Sequence, residues 1–185
     1  GSLGDYPTHL RRANEQLAGF ESLTAPTPTA TTGLERTILL SGARGLTGPE
    51  RQDALDQVST QVTSSTAEVL APLQQFVTLT SRSGKIPLNL ENRLPYPVVV
   101  HVVLESVKLE FPSGNVIPVE LEAATTTRVD VEVTTRASGA FPLKVSVQSP
   151  DGTLDVASTE FTVRSTAISG AGLVLSIGAG VESTS

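Results

Sequence analysis

The feature that most constrains this chain is a change of hydrophobic period near residue 76. Before it, apolar residues recur every three or four positions. After it, they recur every second position. The first spacing lines one face of an α-helix and the second lines one face of a β-strand. A helical segment followed by a run of strands defines an α+β chain, in which each apolar face must be covered by another element.

Leu10, Ala13, Leu17 and Phe20 form one helical face, and Arg11, Arg12, Asn14, Glu15 and Gln16 fill the other. With Pro7 suited to a first turn, a helix is expected over about 7–22. Residues 24–32 read TAPTPTATT, a Pro/Thr linker expected to be extended. Thr32-Gly33-Leu34-Glu35 and Thr47-Gly48-Pro49-Glu50 then repeat one helix-start pattern. In it the Thr oxygen accepts from the amide three residues on while the Glu reaches back, a capping box. The spacing predicts a short helix over about 33–43, stopping near Gly45, and a long one over about 48–75. Leu55, Val58, Val62, Val69, Leu73 and Phe76 make the long helix's stripe, with Ser65 or Thr66 filling its gap and Pro72 bending or ending it.

Arg128-Val129-Asp130-Val131-Glu132-Val133 alternates strictly, as do Phe141, Leu143, Val145 and Val147. Val98–Leu104 is almost continuously apolar and reads as a central strand. Ser83-Gly84, Pro112-Ser113-Gly114-Asn115, Ser138-Gly139 and Pro150-Asp151-Gly152 punctuate the series. Strands are expected at 76–80, 86–91, 97–105, 107–111, 116–122, 127–135, 141–148 and 156–164. Short strands at this spacing predict an immunoglobulin-like antiparallel β-sandwich over 76–165, preceded by a three-helix segment over 1–75. The chain has no Cys and no Trp, so it lacks the disulfide and core Trp of an antibody domain. Residues 166–185 are expected to be a truncated transmembrane helix or a flexible Gly-rich tail. Ser165–Val181 carries no charge, and the stretch is slightly short of a full span. The chain has no Met and opens with Gly1-Ser2, so a piece of a longer protein is expected.

Formal net charge is −6, with 19 acidic and 13 basic residues and no Lys/Arg run. Nucleic-acid binding needs clustered cations and is not expected, and the same argument disfavours anionic lipid headgroups. Without Cys there are no thiolate metal sites or thiol nucleophiles. His9 and His101 are far apart in sequence, and a zinc site needs three or four ligands. No G-x-S-x-G nucleophile elbow is present. Asp130 and Glu132 share a strand face, but Arg128 lies on it too, so a solvated face outweighs a glycosidase pair. Asp151 and Asp155 bracket Gly152-Thr153-Leu154, but a calcium loop wants more oxygens in closer register, and Pro150-Asp151-Gly152 reads as a turn. Neither a metal nor another cofactor is expected, and no residue is assigned a catalytic role.

Ile86–Asn92 (IPLNLEN), Leu94–Val102 (LPYPVVVHV), Val147–Gly152 and Phe161–Ser165, with the apolar tail, resemble the C-terminal region of the DUF6049 family of actinobacterial membrane-anchored proteins of unknown function. Residues 33–75 resemble the segment that precedes it. The Asn-x-Leu-x-Tyr-Pro-Val element, Asn92 to Val98 here, also recurs in other bacterial sandwich domains. The resemblance implies a large exported protein, with its bulk on the extracytoplasmic side of the cell membrane and a single C-terminal span. Family members are often encoded beside the lipid II flippase, which implies a link to cell-wall synthesis. This chain departs from the pattern by stopping before the aromatic and basic residues that finish the span.

The expected function is a non-catalytic interaction or scaffold module with a protein partner in the cell envelope. The outer face with Arg128, Asp130 and Glu132 is the candidate docking surface. The alternative is a glycan-binding module for peptidoglycan or a lipid-linked precursor. Tyr96, between two prolines, is the one candidate exposed ring of the sandwich, and otherwise a plug at its end.

Overall fold

A computed structural model describes residues 5–166. Three helices, α1 (Tyr6–Leu23), α2 (Thr32–Ser41) and α3 (Gly48–Thr66), precede nine strands. The strands are β1 (Val69–Leu70), β2 (Phe76–Leu79), β3 (Ser83–Asn92), β4 (Val98–Glu105), β5 (Leu109–Glu110), β6 (Val116–Leu121), β7 (Thr125–Thr135), β8 (Gly139–Gln148) and β9 (Asp155–Ser165). They form two facing sheets, in the order β1-β3-β7-β5 and β2-β9-β8-β4-β6. Four strands facing the β9-β8-β4 trio is the immunoglobulin-like arrangement, with β2 and β6 added at the edges of the second sheet. All pairs are antiparallel except β2 with β9, which run parallel from Phe76 opposite Thr162 to Leu79 opposite Ser165.

The alternation sets the core. Ile86, Leu88 and Leu90 of β3 and Val131 and Val133 of β7 meet Val98, Val100 and Val102 of β4, with Leu143, Val145, Phe161 and Val163 of β8 and β9. A buried apolar side chain of this size contributes about 1.5–3 kcal/mol relative to exposure. The helices share this core rather than forming their own. Leu17, Phe20 and Leu23 of α1 and Leu55, Val58 and Val62 of α3 belong to one continuous apolar cluster with the strands.

The helices cover one end of the sandwich, the pole carrying the β3–β4, β6–β7 and β8–β9 turns. α1 meets the β8–β9 turn at Gly19, where an added Cβ would overlap Thr153 Oγ1 and lie 2.5 Å from Leu154 Cγ. The backbone amide of Arg93 donates to Glu68 O at 2.9 Å, tying the end of α3 to the β3–β4 turn. Arg51 closes the α2–α3 corner by donating to the carbonyls of Ser41 (2.9 Å), Ala43 (2.9 Å) and Leu46 (3.3 Å), with its guanidinium over the Tyr6 ring. Because β9 runs away from the helices, the chain passes Thr166 at the opposite pole.

Three expectations change. First, the Pro/Thr linker is not extended. Thr24 and Thr31 are buried, Thr24 Oγ1 donates back to Phe20 O at 2.8 Å, and Pro28–Ala30 forms a 3₁₀ turn. Thr hydroxyls that bond the preceding turn fold such a segment back, and Pro starts a helical turn as readily as it ends one. Second, only one of the two capping boxes forms. Thr47 accepts from the Glu50 amide while Glu50 accepts from the Thr47 amide at 2.7 Å. At α2 the cap residue is Thr31 rather than Thr32, with no side-chain cap bond; Thr31 Oγ1 donates to Glu35 Oε1 instead.

Third, α3 stops at Thr66, not near 75. Its last turns, Val62-Thr63-Ser64-Ser65-Thr66, are poor helix formers, and Thr66 Oγ1 turns back onto the carbonyls of Val62 and Thr63. Val69 then pairs with Asn92 as a strand, so the sandwich begins before residue 76. The apolar tail expected over 166–185 lies outside the described residues from 167 onward. Among the described residues no helix is long and apolar enough to cross a membrane.

Candidate functional site

Arg128, Asp130 and Glu132 sit together on the outward face of β7, opposite Asn89, Pro87 and Lys85 of β3. All three are exposed. Arg128 Nε lies 2.9 Å from Asp130 Oδ1, and Lys85 Nζ 3.5 Å from Glu132 Oε1. The face is thus a ladder of solvated ion pairs, each worth at most about 1 kcal/mol. Its charges already neutralise one another, which leaves little unmatched charge to steer a partner.

Tyr96 is in a different place. It lies in the β3–β4 turn, half-buried at the joint between sandwich and helices, with its hydroxyl beside Ser65 of α3. Burial raises its pKa above the usual 10.0, against a smaller lowering by the Ser65 hydroxyl. The structure therefore does not join Tyr96 and the β7 charges into one site.

The turn holding Tyr96 is built by Asn92, which is fully buried. Its amide nitrogen donates to the carbonyls of Tyr96 (3.0 Å), Leu121 (3.1 Å) and Glu122 (3.0 Å), and its oxygen accepts from the Leu94 amide (3.0 Å). Leu94 and Val98 point into the core. The Asn-x-Leu-x-Tyr-Pro-Val element thus has a structural reason: one amide side chain pins two neighbouring turns beneath the helices.

The other polar candidates are engaged in local bonds or lie apart. His9 Nδ1 is 2.8 Å from Gln52 Nε2, and His101 stands mid-strand in β4 between Pro118 and Gln148. Asp151 accepts from the Ser149 hydroxyl (2.6 Å), the Thr153 amide (3.1 Å) and the Thr153 hydroxyl (2.8 Å). Burial alone would raise its pKa; these bonds, with the Ser22 hydroxyl of α1, outweigh it and hold the carboxyl below 3.8. Asp155 accepts from Gln148 Nε2. Among the described residues no three His, Cys, Asp or Glu side chains gather as metal ligands. A shallow concavity of ≈ 390 Å³ lies over β4, β8 and β9, where Lys144 and Glu105 pair at 3.3 Å.

The feature that sequence reasoning missed is apolar. Leu73 and Phe76, assigned to the stripe of the long helix, are 88% and 86% exposed. With α3 ending at Thr66, Leu73 falls on the connection that crosses from one sheet to the other and Phe76 on the first position of β2. Phe76 projects from the outward side of β2, a strand at the edge of its sheet. Among the described aromatic residues it is the one that is exposed. Pro72 was the available signal, since a stripe extended past a proline is no longer held to helical geometry.

The class of protein defined here is an immunoglobulin-like sandwich capped at one pole by three helices. A model of the family of unknown function DUF6049 matches residues 10–181, and the chain belongs to that family. No curated protein matches it. Among solved structures, E. coli alpha-2-macroglobulin is 19% identical at a TM-score of 0.42, over 54% of this chain and 7% of that one. The PapD-like domain 7 of human CEP192 is 18% identical at 0.37, over 55% of this chain and 86% of that one. The C. elegans MSP family member WR4 is 11% identical at 0.32, over 50% and 92%. At these scores the likenesses carry no functional argument.

Proposed function

We propose that this chain is a non-catalytic interaction module of a membrane-anchored protein, on the extracytoplasmic side, with a protein partner in the machinery of cell-wall synthesis. The observation that carries the docking part is the exposed Leu73–Phe76 pair beside the edge strand β2. Two large apolar side chains four-fifths or more exposed and three residues apart lose solvation cost when covered, and aromatic residues are enriched at interface centres. An edge strand beside them offers unpaired backbone groups to the same partner. The location and the wall-synthesis partner are motivated by the family resemblance.

The test places a photo-crosslinking residue at position 73 or 128 of the full-length protein in its own cells. The expected result is a discrete adduct with one envelope protein from position 73, lost with Phe76→Ser, and none from position 128. An adduct from position 128 alone would return the docking surface to the charged face of β7. The alternative is a glycan-binding module for peptidoglycan or a lipid-linked precursor, with the half-buried Tyr96 or the exposed Phe76 as its ring.

A further inference from the structure

The sequence carries no basic run, yet folding sorts its charges by pole. At the pole away from the helices, three turns and the end of β9 bring Arg82, Lys108, Arg136 and Arg164 together. The grouping is fixed by the backbone: the Thr135 amide donates to Arg82 O at 2.8 Å and the Arg136 amide to Lys108 O at 2.9 Å. Arg164 lies in register with Thr78 on one side and Ala140 on the other. Among the described residues Glu110 is the one acid in this ring, and it pairs with Arg136 at 2.8 Å. Of the next acids inward, Glu132 is matched by Lys85, while Glu105 and Glu160 flank Lys144, which pairs with Glu105 at 3.3 Å. Arg82, Lys108 and Arg164 make no ion pair among the described residues, although Lys108 lies over the Phe141 ring.

The opposite pole is the reverse. Residues 1–80 carry eight acids and five bases, and the turns beneath the helices add Glu120, Glu122, Asp151 and Asp155 against Arg93 and its own partner Glu91. A chain of net charge −6 therefore presents a cationic end. That end also carries Val107, 84% exposed at the tip of the β4–β5 turn. It is the end at which the chain passes Thr166 into the uncharged Ser165–Val181 run.

From this polarity we infer that the pole of Arg82, Lys108, Arg136 and Arg164 is a seat for an anionic lipid surface. The bilayer meets the cations and Val107, and the acidic helical pole is held away from it. Cations near such a surface each strengthen binding roughly fivefold, and the attraction decays within a Debye length. Three or four cations orient a domain already held at the membrane rather than recruit it from solution. The inference rests on the proposed membrane-side location but not on the Leu73–Phe76 contact, so the two readings fail separately.

The test uses the full chain with phosphatidylglycerol-containing vesicles and with pure phosphatidylcholine vesicles, the second serving as the baseline for the apolar tail. Amide resonances in the turns around residues 82, 108 and 136 and at Arg164 should broaden with the anionic vesicles only, and recover at raised salt. Arg82→Gln with Arg164→Gln should lower the anionic-to-neutral partition ratio roughly 25-fold, fivefold for each cation. Equal broadening with both vesicle types would overturn the inference, as would broadening confined to the helical pole. Binding of soluble polyphosphate as tight as binding of vesicles would overturn the assignment to a lipid surface.

Discussion

Replacing Gly19 with Ala isolates the contact that joins the helices to the sandwich. In an isolated helix this change stabilises by about 1 kcal/mol, because Ala orders its backbone at lower entropic cost. Here the new methyl would overlap Thr153 Oγ1 and stand 2.5 Å from Leu154 Cγ and 3.0 Å from its Cδ1. Neither Thr153 nor Leu154 moves freely, since the Thr153 amide and hydroxyl both donate to Asp151 and the Leu154 amide donates to Ser149 Oγ. Overpacking of this kind costs about 1–3 kcal/mol. With three atoms closer than normal contact, the upper half of that range applies. The net expectation is a loss of about 1–2 kcal/mol, read as a fall of roughly 0.5–1 M in the urea midpoint followed by circular dichroism. Gly33 in α2 has nothing within 4 Å of an added Cβ, so Gly33→Ala should leave the midpoint unchanged or raise it. If Gly19→Ala behaves like Gly33→Ala, helix propensity alone governs the site, and α1 does not dock on the β8–β9 turn as described.

Asn92→Ala should cost about 3–5 kcal/mol in the same assay, because it strips partners from one buried amide and the carbonyls that Asn92 now serves. Thr47→Ala should cost about 1 kcal/mol and Thr32→Ala close to nothing, since only the first closes a capping box. Asp151 has its folded pKa lowered, so its contribution is present above 3.8 and lost as pH falls through the folded value; Asp151→Asn should flatten that part of the acid-unfolding profile. Tyr96 has its folded pKa raised, so its contribution is present below 10.0 and lost as pH rises through the folded value. Absorbance titration should therefore place its ionisation above 10.0 in the native protein, and Tyr96→Phe should remove that step.

The strands were legible because β7 and β8 each bury one face and solvate the other, so their periodicity survives in the sequence. The end of α3 was not. Leu55, Val58 and Val62 imply a stripe that Val69 extends in register, but Val69 is buried by pairing with Asn92, a contact made 23 residues away. A two-residue strand has no period of its own, so only the tertiary partner reveals it. The same error hid Leu73 and Phe76, which a longer helix would have covered. The β7 charges were correctly read as sharing a face, while Tyr96 was assigned no neighbour because Ser65 reaches it from another element. The cationic pole was invisible for a comparable reason: its four members lie between residues 82 and 164, and only the stacking of turns collects them.

The parallel β2–β9 pair has a mechanical consequence. Both strands run toward the pole where the chain passes Thr166, and β2 is entered from the other direction. Tension applied between the preceding chain and that exit draws β2 and β9 past each other along their length. The ladder from Phe76 opposite Thr162 to Leu79 opposite Ser165 is then loaded in shear, with its hydrogen bonds sharing the force rather than opening one at a time. β8, paired to β9 over its whole length from Gly139 to Gln148, braces the other side of the strand that bears the pull. The geometry makes β9 a tensile strut, gripped on both sides along the direction of pull.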